Sequence, residues 1–476
     1  MSNFAGWTAE AANITLDRYA GIPLIERLIS KIKICSPHFF DDGVDHFSHW
    51  VNPGSAVKGL IIMQALGMTN YADIESLFNN STLFTRALDG KTFSQETLRQ
   101  KLNMIAQDIS IIDRVDESNV QLLKGQKFYT VSYCGKEYIP LDIDVTPFAN
   151  PKVKKEGISH TYKKIDGFAP ITAYIGQFAL AFELRPGSQH SENGAIPFLK
   201  RCVNLLTLIG IDPQNVILRV DSGHDAHDFR DAAKALGLNF IMKANPRSTD
   251  LGPIVAMAKT VDKGTLSTNK CDMKYYCADP SNPISVKESY TRALYEVRDP
   301  VKDPKTGEDP FALFRVTDPS KENFGKDGVP YKVAILYTNL PLPEGSEQTD
   351  PHGIQNATEI VELYHQHATS EQFHSELKTD MDMELLPSHH FRTNALFLAL
   401  SVISFNVLRI IGDKALGYDS SLQHHKNKET KRLRNGTVIE LFMKHPCQVV
   451  WHARKKVIRI GKKSPIRRTF LYLMSA

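Results

Sequence analysis

The stretch YIPLDIDVTPF, residues 138–148, alternates along its middle: Leu141, Ile143 and Val145 fall on one side, Asp142 and Asp144 on the other. Period-two alternation marks a strand whose two faces meet different surroundings. Downstream, APITAYIG (169–176) and ALAFELRPG (179–187) read as two more strands with a short turn between them. A helix is expected from about residue 192 to 209, then a buried strand, NVILRVDSG (215–223), ending in Asp221. HDFRDAAKALG (227–237) is a helix closed by Gly237, and NFIMKANP (239–246) is another strand. Three antiparallel strands that feed two parallel crossover units make an α/β fold, a mixed sheet with helices on its faces.

Around this centre the rhythm changes. Upstream, the first 125 residues read as helices: an apolar-periodic run at 55–66, a short helix at 70–78, and a third opened by the polar cap Ser94. Short helices with tight turns resemble a helix-turn-helix bundle, with Thr97, Arg99, Gln100 and Lys101 on a possible recognition helix; a plain helical cap fits equally well. Between residues 246 and 343, Pro/Gly-rich turns separate the strand-like runs ALYEVRD, FALFRVTD and YKVAILYTNL, a β-rich insertion of about 100 residues by that pattern. A long helix is expected over about 357–378. The apolar run at 394–412 has the length of a membrane span, but Asn394, Ser401, Ser404, Asn406 and Arg409 favour a buried helix.

With 42% apolar and 23% charged residues, global disorder and a disulfide scaffold are excluded. Cys35, Cys134, Cys202, Cys271, Cys277 and Cys447 form no CxxC pair and read as reduced thiols of a cytoplasmic protein. The first 30 residues carry Glu10, Asp17 and Glu26 and no uninterrupted apolar core, so no secretory signal is expected. The formal net charge of +4 hides an asymmetry: from His424 onward, fourteen Lys and Arg face only Glu429 and Glu440. That segment is +12 and the rest −8. A basic block of this size, interleaved with Trp451, Val457 and Phe470, points to a polyanion, nucleic acid first.

Candidate chemistry rests on acidic residues at strand ends. Asp144 lies near the middle or end of the first strand and Asp221 at the carboxyl end of the fourth, and strand carboxyl ends are where open α/β sheets place ligands. On the helix expected over about 357–378, Tyr364, His367, Glu371, His374 and Lys378 fall within roughly 80° of arc. Three carboxylates gathered from two strands and a helix require neutralising cations. Hard oxygen donors favour magnesium or manganese, and two such ions suit phosphodiester chemistry. The GHDAHD segment, with His224, Asp225, His227 and Asp228, could bind a metal on its own but reads better as the cap of the following helix, with Asp225 near the site.

These segments together resemble the RNase H-like core of DDE transposases from bacterial insertion sequences. In the insertion-sequence-four superfamily the third acidic residue sits in the pattern Y-x2-R-x3-E-x6-K; Tyr364, His367, Glu371 and Lys378 hold those spacings here. The runs LDIDVTPF, KKEGISHTYKKIDGFAPITAYIG, ELRPGSQH, LRVDSGHDA and YHQHATSEQFHSELKTD are similar to the thirteen-eighty group. The resemblance spans roughly residues 138–409. It implies that Asp144, Asp221 and Glu371 bind two divalent ions, Mg2+ or Mn2+, with Asp142 the competing aspartate on the first strand. It implies DNA contacts from Tyr364, His367 and Lys378, although His367 stands where the family carries arginine and cannot form a bidentate phosphate fork. Arg99, Lys455 and Lys456 are further candidates for double-stranded DNA.

The organisation expected from this is a helical DNA-binding domain (1–125), the first part of the RNase H-like core (126–245), the β-rich insertion (246–350), the second part with the catalytic helix (351–423) and the basic C-terminal segment (424–476). The implied protein cuts and joins DNA at the inverted repeats of its own element, as a homodimer on DNA in the cytoplasm at the nucleoid. A stand-alone nuclease of the same fold and a catalytically inactive transposase-derived DNA-binding protein are the alternatives.

Overall fold

The computed structural model describes residues 14–36, 51–151, 153–245, 249, 251–266, 273–278, 291–298, 331–425, 428–429, 432–452 and 455–475. The chain divides into two compact units, residues 1–122, 153–156 and 375–476 in one, 123–152 and 157–374 in the other. FALFRVTD and Cys271 lie outside the described residues.

The first unit opens with β1 (Leu16–Asp17) and helices α1 (Ile22–Ile29), α2 (Pro53–Ala65), α3 (Asp73–Asn80), α4 (Thr82–Ala87) and α5 (Gln95–Ile105). Each start has a local cause. Pro53 follows Asn52, whose side chain accepts from the Ser55 amide, and Ser94 does the same for Thr97 at α5. Buried Asp17 accepts from Ser81 Oγ, Thr82 Oγ1 and the Leu83 amide, so a carboxylate far away in sequence ties β1 to the start of α4.

The second unit is built on one ten-stranded mixed sheet. Its centre comprises β2 (Lys136–Val145), β3 (Ile171–Ile175), β4 (Phe178–Glu183), β5 (Val216–Val220) and β6 (Asn239–Lys243). Their spatial order is β4-β3-β2-β5-β6; β4, β3 and β2 run antiparallel and β2, β5 and β6 parallel. Three antiparallel strands followed by two parallel ones is the RNase H-like arrangement. Helices α6 (Ala195–Ile209) and α7 (His227–Ala235) supply the crossovers.

The strand-rich segment after residue 246 continues this same sheet. It adds α8 (Gly252–Val261), β7 (Met273–Ala278), β8 (Arg292–Arg298) and β9 (Lys332–Thr338), and β9 pairs antiparallel with β6. Alternation along β8 explains why both faces are covered. Leu294 packs towards α9 (Ile354–His365), whereas Ala293, Tyr295 and Val297 pack with Val255 and Ala258 of α8.

The helix expected over about 357–378 is not continuous. It breaks after α9; α10 (Ala368–Ser375) follows, and residues Glu376–Asp380 form a π-helical turn. The cause is local: the His367 amide donates to the Tyr364 carbonyl and the Ser370 amide to the His367 carbonyl, tight three-residue spacings that reset the helix phase. The single polar stripe therefore does not form.

The chain then returns to the first unit through α11 (Phe391–Tyr418), the apolar helix, which is buried along nearly its whole length. Its buried polar residues have partners; among them, Ser404 donates to Gln64, Asn406 to Asn119, and Arg409 to Glu376. Such satisfaction is what a protein core requires of buried polar groups. The basic segment supplies β10 (Cys447–His452) and β11 (Lys455–Arg459), an antiparallel hairpin whose β10 pairs with β1. Cys35, Cys202, Cys277 and Cys447 are buried and Cys134 is exposed.

Candidate active site

Parallel pairing of β2 with β5 sets the site. The ladder matches Asp142 with Arg219 and Ile143 with Val220, so Asp144 and Asp221 come next on adjacent strands, at their carboxyl ends. Asp142, Asp144, Thr172 and Arg219 share the sheet face covered by α9 and α10, and Leu141 and Ile143 support the other.

The two aspartates of β2 have different surroundings. Arg219 grips Asp142 at two points, each 2.7 Å, and also donates to the Leu363 carbonyl at 2.9 Å. His367 Nδ1 lies 2.8 Å from the same carboxylate. Burial alone would push the Asp142 carboxyl up, but Arg219 and His367 override it and hold it at about 2. Asp142 is closed off from solvent.

Asp144 keeps 23% of its side chain exposed. Burial, reinforced by the negative charge of Asp221, pushes its carboxyl up to about 6. His374 Nδ1 stands 3.5 Å away, and its Nε2 is hydrogen-bonded to Thr172 at 2.9 Å. Asp221 takes a hydrogen bond from the Gly223 amide at 3.0 Å and has His224 Nδ1 at 3.2 Å. Burial raises its carboxyl, but His224 and that amide bring it below the ordinary range. Tyr162 donates to the Val145 carbonyl at 3.4 Å, and burial with both aspartates lifts its phenol to about 12. Burial followed by the Asp221, Asp144 and Asp142 charges raises Tyr364 further.

His367, expected to face DNA, is buried against Asp142, and its ring lies 5.7 Å from that of Tyr364. Burial lowers its pKa, but the Asp142 carboxylate reverses this and raises it overall. Glu371 is exposed on α10, and among the described residues no group of three or more His, Cys, Asp or Glu is gathered closely enough to hold a metal ion. The structure thus brings Asp144 and Asp221 together and leaves Glu371 outside the pair. Lys378 belongs to the other unit and pairs with Glu384 at 2.8 Å. Arg99 pairs with Glu96 along α5, Lys101 is buried, Lys456 is exposed, and the Lys455 side chain lies outside the described residues.

Sequence reasoning missed Thr172, Tyr162 and the charge-pairing role of Arg219, because single polar residues in strands and loops carry no periodic signal. His374 and His224 did lie in segments already singled out. Asp225 is tied to Arg230 and to the Asn245 amide, behind the strand ends.

A divalent cation fits the donor set. Two hard carboxylates stand side by side, and burial together with the Asp221 charge raises the Asp144 carboxyl to about 6, a shift that a bound cation would oppose. Paired carboxylates at the ends of adjacent parallel strands, on an RNase H-like sheet, define an enzyme of phosphodiester chemistry. The family model for the transposase DDE domain, group 1, matches residues 20–279, a stretch containing Asp144 and Asp221 but not the helix with Glu371. The chain belongs to that family and is a DDE transposase, an enzyme class that uses divalent metal ions and binds DNA. Among solved structures, a piggyBac transposase in a synaptic complex with hairpin DNA is similar at 12% identity and a TM-score of 0.40, covering 90% of this chain and 80% of that one. No curated protein matches.

Proposed function

We propose that this transposase serves a bacterial insertion sequence of the insertion-sequence-four superfamily, thirteen-eighty group, and acts on that element's terminal inverted repeats. It cuts a phosphodiester to free a 3′-hydroxyl and directs that hydroxyl at target DNA, as a homodimer that joins two ends, in the cytoplasm at the nucleoid. The observation that carries this is the side-by-side placement of Asp144 and Asp221, with the Asp144 carboxyl at about 6. Asp144 and Asp221 would hold magnesium or manganese, two ions with Glu371 as the further ligand, supplying charge neutralisation and activation of water. The chain's own residues position the pair: the Val145 and Gly223 amides fix one oxygen of each carboxylate, and Arg219 anchors the strand beneath through Asp142. The helical and basic segments, with Arg99, Lys455 and Lys456, hold DNA, and Tyr364 and Lys378 lie near the transposon end.

The test is cleavage of labelled end DNA with magnesium or manganese. Asp144→Asn, Asp221→Asn and Glu371→Gln should each abolish cutting while duplex binding persists. Robust cutting by any one variant removes that residue from the site.

A further inference from the structure

Within the first unit, Trp451 stands 56% exposed on β10, an unusual place for the largest aromatic side chain. The Arg86 guanidinium lies 4.7 Å from its ring centroid and the Lys456 ammonium 5.5 Å. The ring borders a cleft of about 730 Å³ whose other walls are mostly polar, among them Asn79, Asn80, Thr82 and Thr85. Asp89 is the carboxylate of that lining. Beyond it, Lys456, Arg459, Lys462 and Lys463 are exposed along and after β11.

We propose that this cleft is a stacking site for an unpaired nucleobase of single-stranded DNA. The half-exposed indole offers flat apolar surface, the cations packed over its ring attract phosphate, and the Asn79 and Asn80 side-chain amides can meet a base edge. Duplex DNA hides its base faces inside the stack, so the platform is selective for unpaired bases. Charge complementarity along β11 favours a nucleic acid over an apolar protein partner. This use of the cleft rests on the DNA-end reading above, because it gives a strand released at a cut end somewhere to go.

The experiment uses the full chain, with single-stranded oligothymidylate and a duplex of matched length as probes. Trp451→Ala should lower the affinity for the single strand about tenfold relative to the duplex, the order expected for one lost base–aromatic stack. Trp451→Phe should keep most of it, and Arg86→Ala should lose part. In a Trp7→Phe/Trp50→Phe background Trp451 is the remaining tryptophan, and its fluorescence should be quenched by oligothymidylate. An unchanged affinity ratio, or a loss of self-association in place of single-strand binding, overturns the proposal. If the ratio is unchanged while the wild type still cuts end duplex with metal, the stacking site falls and the DNA-end reading stands. If the wild type does not cut ends but Trp451→Ala loses its single-strand preference, the reverse holds.

Discussion

Asp142 and Arg219 face each other across the parallel β2–β5 ladder and close a two-point ion pair with both contacts at 2.7 Å. The pair lies two residues before Asp144 and Asp221 on their strands, and both its side chains are almost wholly buried. It joins the two strands that carry the candidate catalytic carboxylates, and it draws His367 inward.

Removing one partner leaves the other charge buried and alone. Asp142→Asn should destabilise the protein by about 3–5 kcal/mol, read from denaturant midpoints. The Asp142 carboxyl is held at about 2, so its stabilisation is present above the ordinary carboxylate value near 3.9 and fades as pH falls toward 2. A variant as stable as wild type at neutral pH would mean that the pair does not anchor the strands.

Asp144 should behave in the opposite way. With its folded value raised to about 6, the native state holds the proton more tightly than the unfolded chain does. Stability therefore declines as pH rises from about 4 through 6. Asp144→Asn should melt several degrees higher than wild type at pH 7.5 without divalent ions, although inactive. Magnesium should raise the wild-type melting temperature and have a smaller effect on the variant. Equal melting curves would argue against strained carboxylates at this position.

His367→Arg should not restore a phosphate clamp. The arginine would enter beside Arg219, whose guanidinium already occupies Asp142. Lower stability and no gain in end cleavage are expected, at pH 8 as at pH 6. Higher cleavage at pH 8 would place residue 367 against DNA after all.

The basic segment divides into structural and exposed charges. Arg432 pairs with fully buried Glu376, so replacing it by alanine should lower the melting temperature, whereas Arg434 pairs with Asp380 from an exposed position. Reversing exposed Lys456, Lys462 and Lys463 should leave stability nearly intact but flatten the salt dependence of duplex binding, each phosphate contact contributing about 0.9 of slope. An unchanged slope would make these lysines bystanders.

What the sequence alone determined is the part written in short periods. Alternation along 138–148 assigned Leu141 and Ile143 to one sheet face and Asp142 and Asp144 to the other, and the order of strands and helices set the mixed sheet. Polar residues spaced through the apolar run likewise marked α11 as a core helix. Tertiary structure decided what those faces meet. Asp142 finds Arg219 77 residues away and His367 225 away, pairings that depend on strand register and on a helix break after residue 365. The same long-range register joined the strands of 273–338 to the core sheet and committed Arg432 to fully buried Glu376. Side-chain period is fixed by local backbone geometry, whereas the partner of a buried charge is fixed by which distant strand lies opposite it.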